Sequence, residues 1–241
     1  MKVINVNETD STNKLIKELI KQGESNFPFI VQTDFQTVGK GQFNNTWESL
    51  PKQNLLFSIA LKIPEITIEH QFKISKLVAI ALREVISVYC DNVNIKWPND
   101  IYVDDKKIAG ILIENTIIGS KIDYCIIGIG LNINQTLFSE NIPNPTSLKI
   151  LKNRNFEIQT LREQIVDKIL FYSTQLFLLD EIYLKYLYRK GELSQFRQNN
   201  NDFLGVIVGV DSIGKLLVRV VDREIQSFAN REIKFILPET N

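Results

Sequence analysis

The chain has little of what several protein classes need. Its 241 residues hold one histidine and two cysteines. Cys90 and Cys125 stand alone with no CxxC pair, so neither a disulfide framework nor a cysteine-ligated zinc site is expected. His70, in IEHQF, would have to be the base of any Ser/His/Asp triad; a position at a helix start is the simpler reading. Lysine plus arginine equals aspartate plus glutamate, 28 against 28, so no overall cationic surface exists for gripping nucleic acid, although a local patch fits inside a neutral total. No apolar run reaches the roughly 20 residues of a membrane span. The start, MKVINVNETDSTNK, is too polar for a signal peptide. A cytoplasmic protein that binds neither DNA nor membrane is expected.

What is present suits an ordinary globular chain, with a core large enough for one or two domains. Asp10, Ser11 and Thr12 precede KLIKELIKQG, where Leu15, Ile16, Leu19 and Ile20 form one stripe and Gly23 supplies a stop; this predicts a capped amphipathic helix. Strand-like runs cover 27–33, 55–63, 92–97, 106–115 and 123–134, the last apolar almost throughout, as a central buried strand should be. Long helical patterns cover 69–90 and about 160–189. After Gly191 the texture shifts to closely spaced short strands (FLGVIVGVD, KLLVRVVD, EIQSF, EIKFIL) separated by turn residues. The spacing predicts an α+β domain over 1–190 and a small SH3-like β-barrel over 191–241.

Glycine is scarce, 11 in all, so its placement carries information. Gly39 and Gly41 flank Lys40; Gly110 follows Ala109; Gly128 and Gly130 interrupt an isoleucine run. Each alone reads equally as a turn or packing gap, but together they suggest a place where a ligand meets backbone. QTVGKGQFNNTW (36–47) is a polar loop with a cation, suited to wrapping an anion or simply to a mobile surface position. It is neither a GxxxxGK[ST] loop nor a GxGxxG fingerprint. IKWPND (95–100) puts Lys96 beside Trp97, ahead of a Pro-Asn-Asp turn.

In this order, DSTN (10–13), QTVGKGQFNNTW, NLLFSIAL (54–61), KWPND (96–100), KIAGILIE (107–114) and GIGLNIN (128–134) resemble bacterial biotin–protein ligases of the kind without an N-terminal DNA-binding domain. The resemblance covers essentially the whole chain. It implies a mixed β-sheet with flanking helices, of the class II aminoacyl-tRNA synthetase-like biotin/lipoate ligase fold, followed by the small barrel. It also implies an activity in two steps. Biotin and ATP, with Mg²⁺, give biotinyl-5′-AMP; the biotinyl group then passes to a lysine of a biotin carboxyl carrier protein, as in acetyl-CoA carboxylase.

Site roles follow from the same likeness. Ser11, Thr12, Asn13 and Gln36 match contacts to the biotin head, the first three also serving a helix start. Gly39, Lys40 and Gly41 match the loop that folds over ligand. Lys96 matches the lysine reaching the biotin carboxylate and α-phosphate and is expected to be the catalytic cation, aided by Lys40. Gly110 and Ile111 match the strand beside the biotin tail. Gln42, Trp47, Asn99 and Asn132 match the nucleotide side, with Asp100 completing the turn. No protein metal cluster is implied.

The loop departs from the commonest family pattern, GRGRxGRxW: Lys40, Gln42 and Asn45 stand where that pattern has arginine, and lysine or glutamine cannot reproduce a guanidinium's two-pronged phosphate contact. Gln53 stands where many relatives have glycine. A lipoate or octanoate ligase, or a biotin- or nucleotide-binding regulator without catalysis, are the alternative functions. Residues 1–10 leave no room for a helix-turn-helix module, so a repressor role is not expected. Monomer and homodimer are both compatible with the resemblance.

Overall fold

A strand built from polar alternation opens the molecule. The computed structural model describes residues 1–236. β1 (Lys2–Thr9) lies parallel to β2 (Phe29–Gln36), with Val3 opposite Ile30. The helix α1 (Thr12–Lys21) bridges them, as a parallel pair requires a crossover. Gly23, at φ 104°, lets the chain leave the helix. The sequence pattern predicts no strand over 1–9, because a strand half exposed at a sheet edge has no apolar run to show.

β3 (Leu55–Leu61), β4 (Val93–Lys96), β5 (Asp100–Val103), β6 (Lys106–Ile118) and β7 (Lys121–Leu131) complete a seven-stranded sheet of order β1-β2-β3-β7-β6-β5-β4. Every pair but the first is antiparallel. Between β3 and β4 runs α2 (Phe72–Ser87), preceded by a short 3-10 turn in which His70 sits exposed, its Nδ1 3.0 Å from Thr67 Oγ1. After β7 come α3 (Leu148–Lys152), α4 (Ile158–Ser173) and α5 (Leu179–Lys185). The long helical pattern near 160–189 is therefore two helices.

Both faces of the sheet are covered, and strand parity decides what each carries. Leu55, Phe57 and Ile59 of β3, with Cys125, Ile127, Ile129 and Leu131 of β7, join the large core under α2, α4 and α5. Cys125 is buried there, its thiol pushed up to about 12 by burial. The alternate residues face α1, where Ile16 packs on Phe29, Val31, Ala60 and Ile126. Beyond Ile126 this second face loses its bulk: Gly128 pairs with Ser58 and Leu112, and Gly130 with Leu56 and Gly110. A run that reads as uniformly apolar is thus isoleucine on one side and glycine on the other.

The remainder forms a second sheet from β8 (Leu193–Gln198), β9 (Asn201–Val210), β10 (Leu216–Val220), β11 (Ile225–Phe228) and β12 (Lys234–Ile236). Its order is β11-β10-β9-β8-β12, all antiparallel. The ladder is open among the described residues: β11 and β12 are its edges, where the sequence pattern predicts a closed barrel. The last residue of the expected EIKFIL strand, Leu237, lies outside the described residues. Phe196, Ile207, Leu216, Val218 and Phe228 belong to the same continuous core as the large sheet. Trp97 Nε1 donates to Gly214 O at 2.8 Å, and Tyr188 and Arg189 both donate to Asp105 of the large sheet's β5–β6 turn. No described helix is long and apolar enough to cross a membrane.

Candidate functional site

The glycine-floored face of β6 and β7 opens into a cavity of about 210 Å³. Its floor needs glycine. A Cβ at Gly130 would lie 2.3 Å from the Trp47 ring, one at Gly110 2.9 Å from it, and one at Gly128 2.5 Å from Asn13 Oδ1. Two side chains therefore lie flat on the sheet where no Cβ stands.

The start of α1 forms one end of the cavity. Ser11 occupies the N-cap position, yet its side chain makes no capping bond, although its carbonyl accepts from Leu15 N at 3.0 Å. The next residues carry a buried polar chain. Thr12 N donates to Gln36 Oε1 at 2.9 Å. The Thr12 and Ser58 hydroxyls are 2.6 Å apart, and Ser58 Oγ donates to Asn13 Oδ1 at 2.6 Å. Each hydroxyl has one proton. With Ser58 committed to Asn13, the single Thr12 hydroxyl proton has two acceptors, Ser58 Oγ at 2.6 Å and Gln36 Oε1 at 3.2 Å. Asn13 Nδ2 then donates to Glu114 Oε2 at 2.7 Å, and Glu114 is paired with Lys17 at 2.6 Å. Ser58 is 0% exposed and Thr12 and Asn13 4%, so these amides and hydroxyls are held in place rather than solvated.

The other end is charged. Lys107 Nζ lies 2.7 Å from Asp100 Oδ1 as an ion pair and 5.7 Å from the Trp47 ring centroid. Asn99 donates from Nδ2 to Ile111 O at 2.8 Å and accepts from Ile111 N at 2.9 Å through its carbonyl, locking the KWPND turn to β6. The roof is the loop 39–47, folded as a narrow hairpin: Trp47 N donates to Gly39 O at 3.0 Å, Lys40 bridges Thr46, and Gly41 N donates to Asn45 O at 2.7 Å. A Cβ at Gly39 would sit 2.3 Å from Trp47 O, so this closure depends on glycine. Trp47 Nε1 is buried with no partner among the described residues.

The cavity thus gathers Ser11, Thr12, Asn13 and Gln36, then Lys40, Gly41, Gln42 and Trp47, then Asn99, Gly110 and Ile111. Three expected residues are not on its wall. Gly39 acts behind it, through the loop closure. Asn132 is 5% exposed; its Nδ2 donates to Thr146 O at 3.0 Å and its backbone N to Ile108 O at 2.9 Å, so it ties the end of β7 to the segment before α3. Lys96 lies with its ammonium 4.9 Å from the Tyr102 ring centroid and 5.0 Å from that of Phe235, on β12. Burial holds that ammonium below the ordinary lysine value, against the pull of Asp100. The physical reason for the difference is packing: a strand from the second sheet covers Lys96.

Sequence reasoning missed Ser58 and Lys107, and the turn residues Asn230 and Arg231, which also reach the cavity. A signal existed for the first two. Ser58 is the polar interruption in LLFSIAL. Lys107 follows Lys106, and adjacent residues of a strand face opposite ways; Lys106 is exposed while Lys107 is half-buried. Among the described residues no group of three or more histidine, cysteine, aspartate or glutamate side chains could hold a metal ion.

Comparison with known proteins gives the family and the fold. Residues 6–132 match the profile described as the biotin/lipoate A/B protein ligase family. The bifunctional ligase/repressor BirA of Bacillus spizizenii is 29% identical over 223 residues, covering 86% of this chain and 66% of that protein. The Escherichia coli protein of the same name is 27% identical over 218 residues, covering 87% of this chain and 66% of its own length. The chain therefore spans a little under two thirds of these relatives. Among solved structures, the biotin protein ligase of Aquifex aeolicus in complex with biotin and ATP superposes with a TM-score of 0.79, at 23% identity, over 98% of both chains. More than half of this chain matches one family profile, and on that ground it belongs to the biotin/lipoate A/B protein ligase family.

Proposed function

We propose that this chain is an ATP-dependent biotin–protein ligase that forms biotinyl-5′-AMP and transfers the biotinyl group to a lysine of a biotin carboxyl carrier protein. The observation that carries the reading is one cavity with two unlike ends: a fixed chain of hydrogen-bonding groups from Gln36 to Asn13, and a cation–carboxylate pair, Lys107 with Asp100. The first suits a neutral polar head such as a cyclic urea, which needs both donors and acceptors in set positions. The second suits the place where a carboxylate meets a triphosphate.

In the first step a carboxylate oxygen of the acid bonds to the α-phosphorus of ATP, and the bond from that phosphorus to the bridging oxygen breaks, releasing pyrophosphate. Two anions must approach one another, so fixed positive charge has its largest effect here. Lys107 takes that role in this reading, in place of Lys96, with Lys40 on the roof as the second cation. Lys96 serves instead to seat β12 on the large sheet. In the second step the neutral amine of the carrier lysine attacks the acyl carbon, AMP leaves, and the amine loses a proton. The loop 39–47 excludes water from the mixed anhydride meanwhile.

Mg²⁺ would arrive with the nucleotide, held chiefly by phosphate oxygens; Asp100 is the carboxylate on the cavity wall that would complete its shell, and one carboxylate is within the usual number. When bound, the ion neutralises phosphate charge. The open five-stranded sheet is the element that corresponds to the expected SH3-like barrel, with the boundary near residue 190, and a cytoplasmic location accords with the reading.

The test is pyrophosphate release from ATP with biotin, then mass spectrometry of a carrier domain. Release with biotin and a biotinyl mass on the carrier are expected. Modification by lipoate or octanoate alone would replace the substrate class; binding of biotin without pyrophosphate release would replace the enzyme with a regulator.

A further inference from the structure

The loop over the cavity contains one lysine and no arginine between residues 36 and 47. A guanidinium reaches it from the second sheet. Arg231, in the turn between β11 and β12, donates from Nη2 to Phe43 O at 2.8 Å, and its Cζ lies 3.9 Å from the Phe43 ring centroid. Its neighbour Asn230 donates from Nδ2 to Gln42 Oε1 at 2.7 Å. The partners are 188 positions apart in the chain. Both turn residues line the cavity as well as holding the loop.

Backbone conformation singles out the contact. Phe43 has φ 54° and Arg231 φ 74°. A left-handed conformation is unfavourable for a residue with a side chain and persists where surrounding structure imposes it. Here two such residues face one another across one hydrogen bond. The bond to Phe43 O uses one of the five guanidinium donors. Arg231 is exposed, and among the described residues no carboxylate lies within ion-pair distance of it. Its charge and its remaining donors therefore stand at the cavity rim, paired with no carboxylate among the described residues.

We propose that Arg231 is a contact for the nucleotide phosphates, supplied by the second sheet in place of an arginine on the loop. The inference rests on the ligase reading. A planar guanidinium can give two parallel N–H bonds to one phosphate, which the compact ammonium of Lys40 cannot. Stacked on Phe43 and bonded to its carbonyl, the guanidinium is already oriented before nucleotide arrives, so less side-chain freedom is lost on binding. The same contact makes the β11–β12 turn part of the site: nucleotide held by Arg231 would hold the loop closed through Phe43.

The experiment uses the full chain with Arg231→Gln and Arg231→Lys. The glutamine variant keeps an N–H donor for Phe43 O and loses the charge; the lysine variant keeps the charge and loses the fork. The expected result for R231Q is a rise of about 10-fold in KM for ATP. Biotin affinity measured without nucleotide should be unchanged within about 2-fold, and R231K should recover part of the loss. An ATP KM equal to the parent's in R231Q would overturn the proposal. So would an equal loss of both ligands, which is the mark of a role confined to holding the loop. A parent chain that releases no pyrophosphate with biotin and ATP would sink the ligase reading and this inference with it, whereas an unaltered R231Q on an active parent sinks Arg231 alone.

Discussion

The two ends of the cavity are built by opposite means. At the α1 end, side chains on a helix and three strands meet in a buried polar network: Gln36, Thr12, Ser58, Asn13, Glu114. At the loop end, backbone pairs close a hairpin, and turn residues of another sheet pin it. The first arrangement fixes geometry and admits one pattern of donors and acceptors. The second fixes little beyond the loop's path and leaves charge at the rim. The contrast suits the two substrates of the proposed ligase. A small neutral head is recognised by shape and hydrogen bonds, which need rigid partners. A polyphosphate must enter, react and leave, and is gripped by charge.

The sharpest break in this contrast is at the cation of the charged end. Lys107→Ala is expected to lower adenylation by on the order of 10²-fold or more, read as pyrophosphate release at saturating biotin and ATP. Biotin binding without nucleotide should change far less. A rate within a few-fold of the parent would remove Lys107 from the role given to it and reopen the case for Lys96.

Next in size is the polar chain itself. Ser58→Ala leaves Asn13 Oδ1 without its donor, and leaves the Thr12 hydroxyl with Gln36 Oε1, at 3.2 Å, as its remaining side-chain acceptor, both in buried positions. An unsatisfied buried group costs about 1–3 kcal/mol. Biotin affinity should fall roughly 10-fold or more by calorimetry, with ATP affinity little altered. Equal losses for both ligands would show that the two ends are not independent and would erase the distinction drawn above.

Much of this was legible in the residues, and the gaps have physical causes. β2, β3, β6 and β7 announce themselves as apolar runs, and α1 by its stripe. β1 does not, because one of its faces is exposed and its pairing with β2 exists only after α1 has crossed over. β5 hides behind the Pro98 turn, four residues long, and β8 alternates polar and apolar residues that only β9 and β12 make sense of. Most of the motif residues line one cavity, while Gly39, Lys96 and Asn132 do not, and the choice between Lys96 and Lys107 could not be made from spacing. It depends on which lysine β12 covers, and β12 lies at the far end of the chain. Arg231 carries no motif at all; its place was decided by a turn held 188 positions from its partner.

A smaller effect is expected at the floor. Gly130→Ala puts a methyl group 2.3 Å from the Trp47 ring, a separation no packing adjustment of a few tenths of an ångström relieves. Trp47 should leave the sheet, and with it the closure of Gly39 on Trp47. Intrinsic fluorescence should shift to the red, since Trp97 keeps its bond to Gly214 O and its own emission with it. An unshifted spectrum with a folded protein would mean that the indole does not rest on β7 in solution, and the roof would have to be redrawn.

The smallest effect tests the residue that the resemblance favoured. Lys96 is a half-buried ammonium between two rings, its proton affinity lowered by desolvation. In the unfolded chain the same group keeps its ordinary value near 10.5. Between the folded and unfolded values the unfolded chain binds more protons, so the stability contributed at this position rises with pH across that window. Below the window the charged form is buried at full cost, set against its attraction to the rings and to Asp100. Lys96→Met keeps the packing volume and removes the charge. A gain on the order of 1 kcal/mol in unfolding free energy is expected near neutral pH. That gain should shrink as pH climbs through the window toward 10.5, because the parent protein can then shed its proton while folded. Pyrophosphate release should stay within about 3-fold of the parent, a loss far below the one expected at Lys107. If K96M instead abolishes adenylation while unfolding at the parent's temperature, the ammonium under β12 is serving the chemistry from behind the wall, and the second sheet is then joined to the reaction through Lys96.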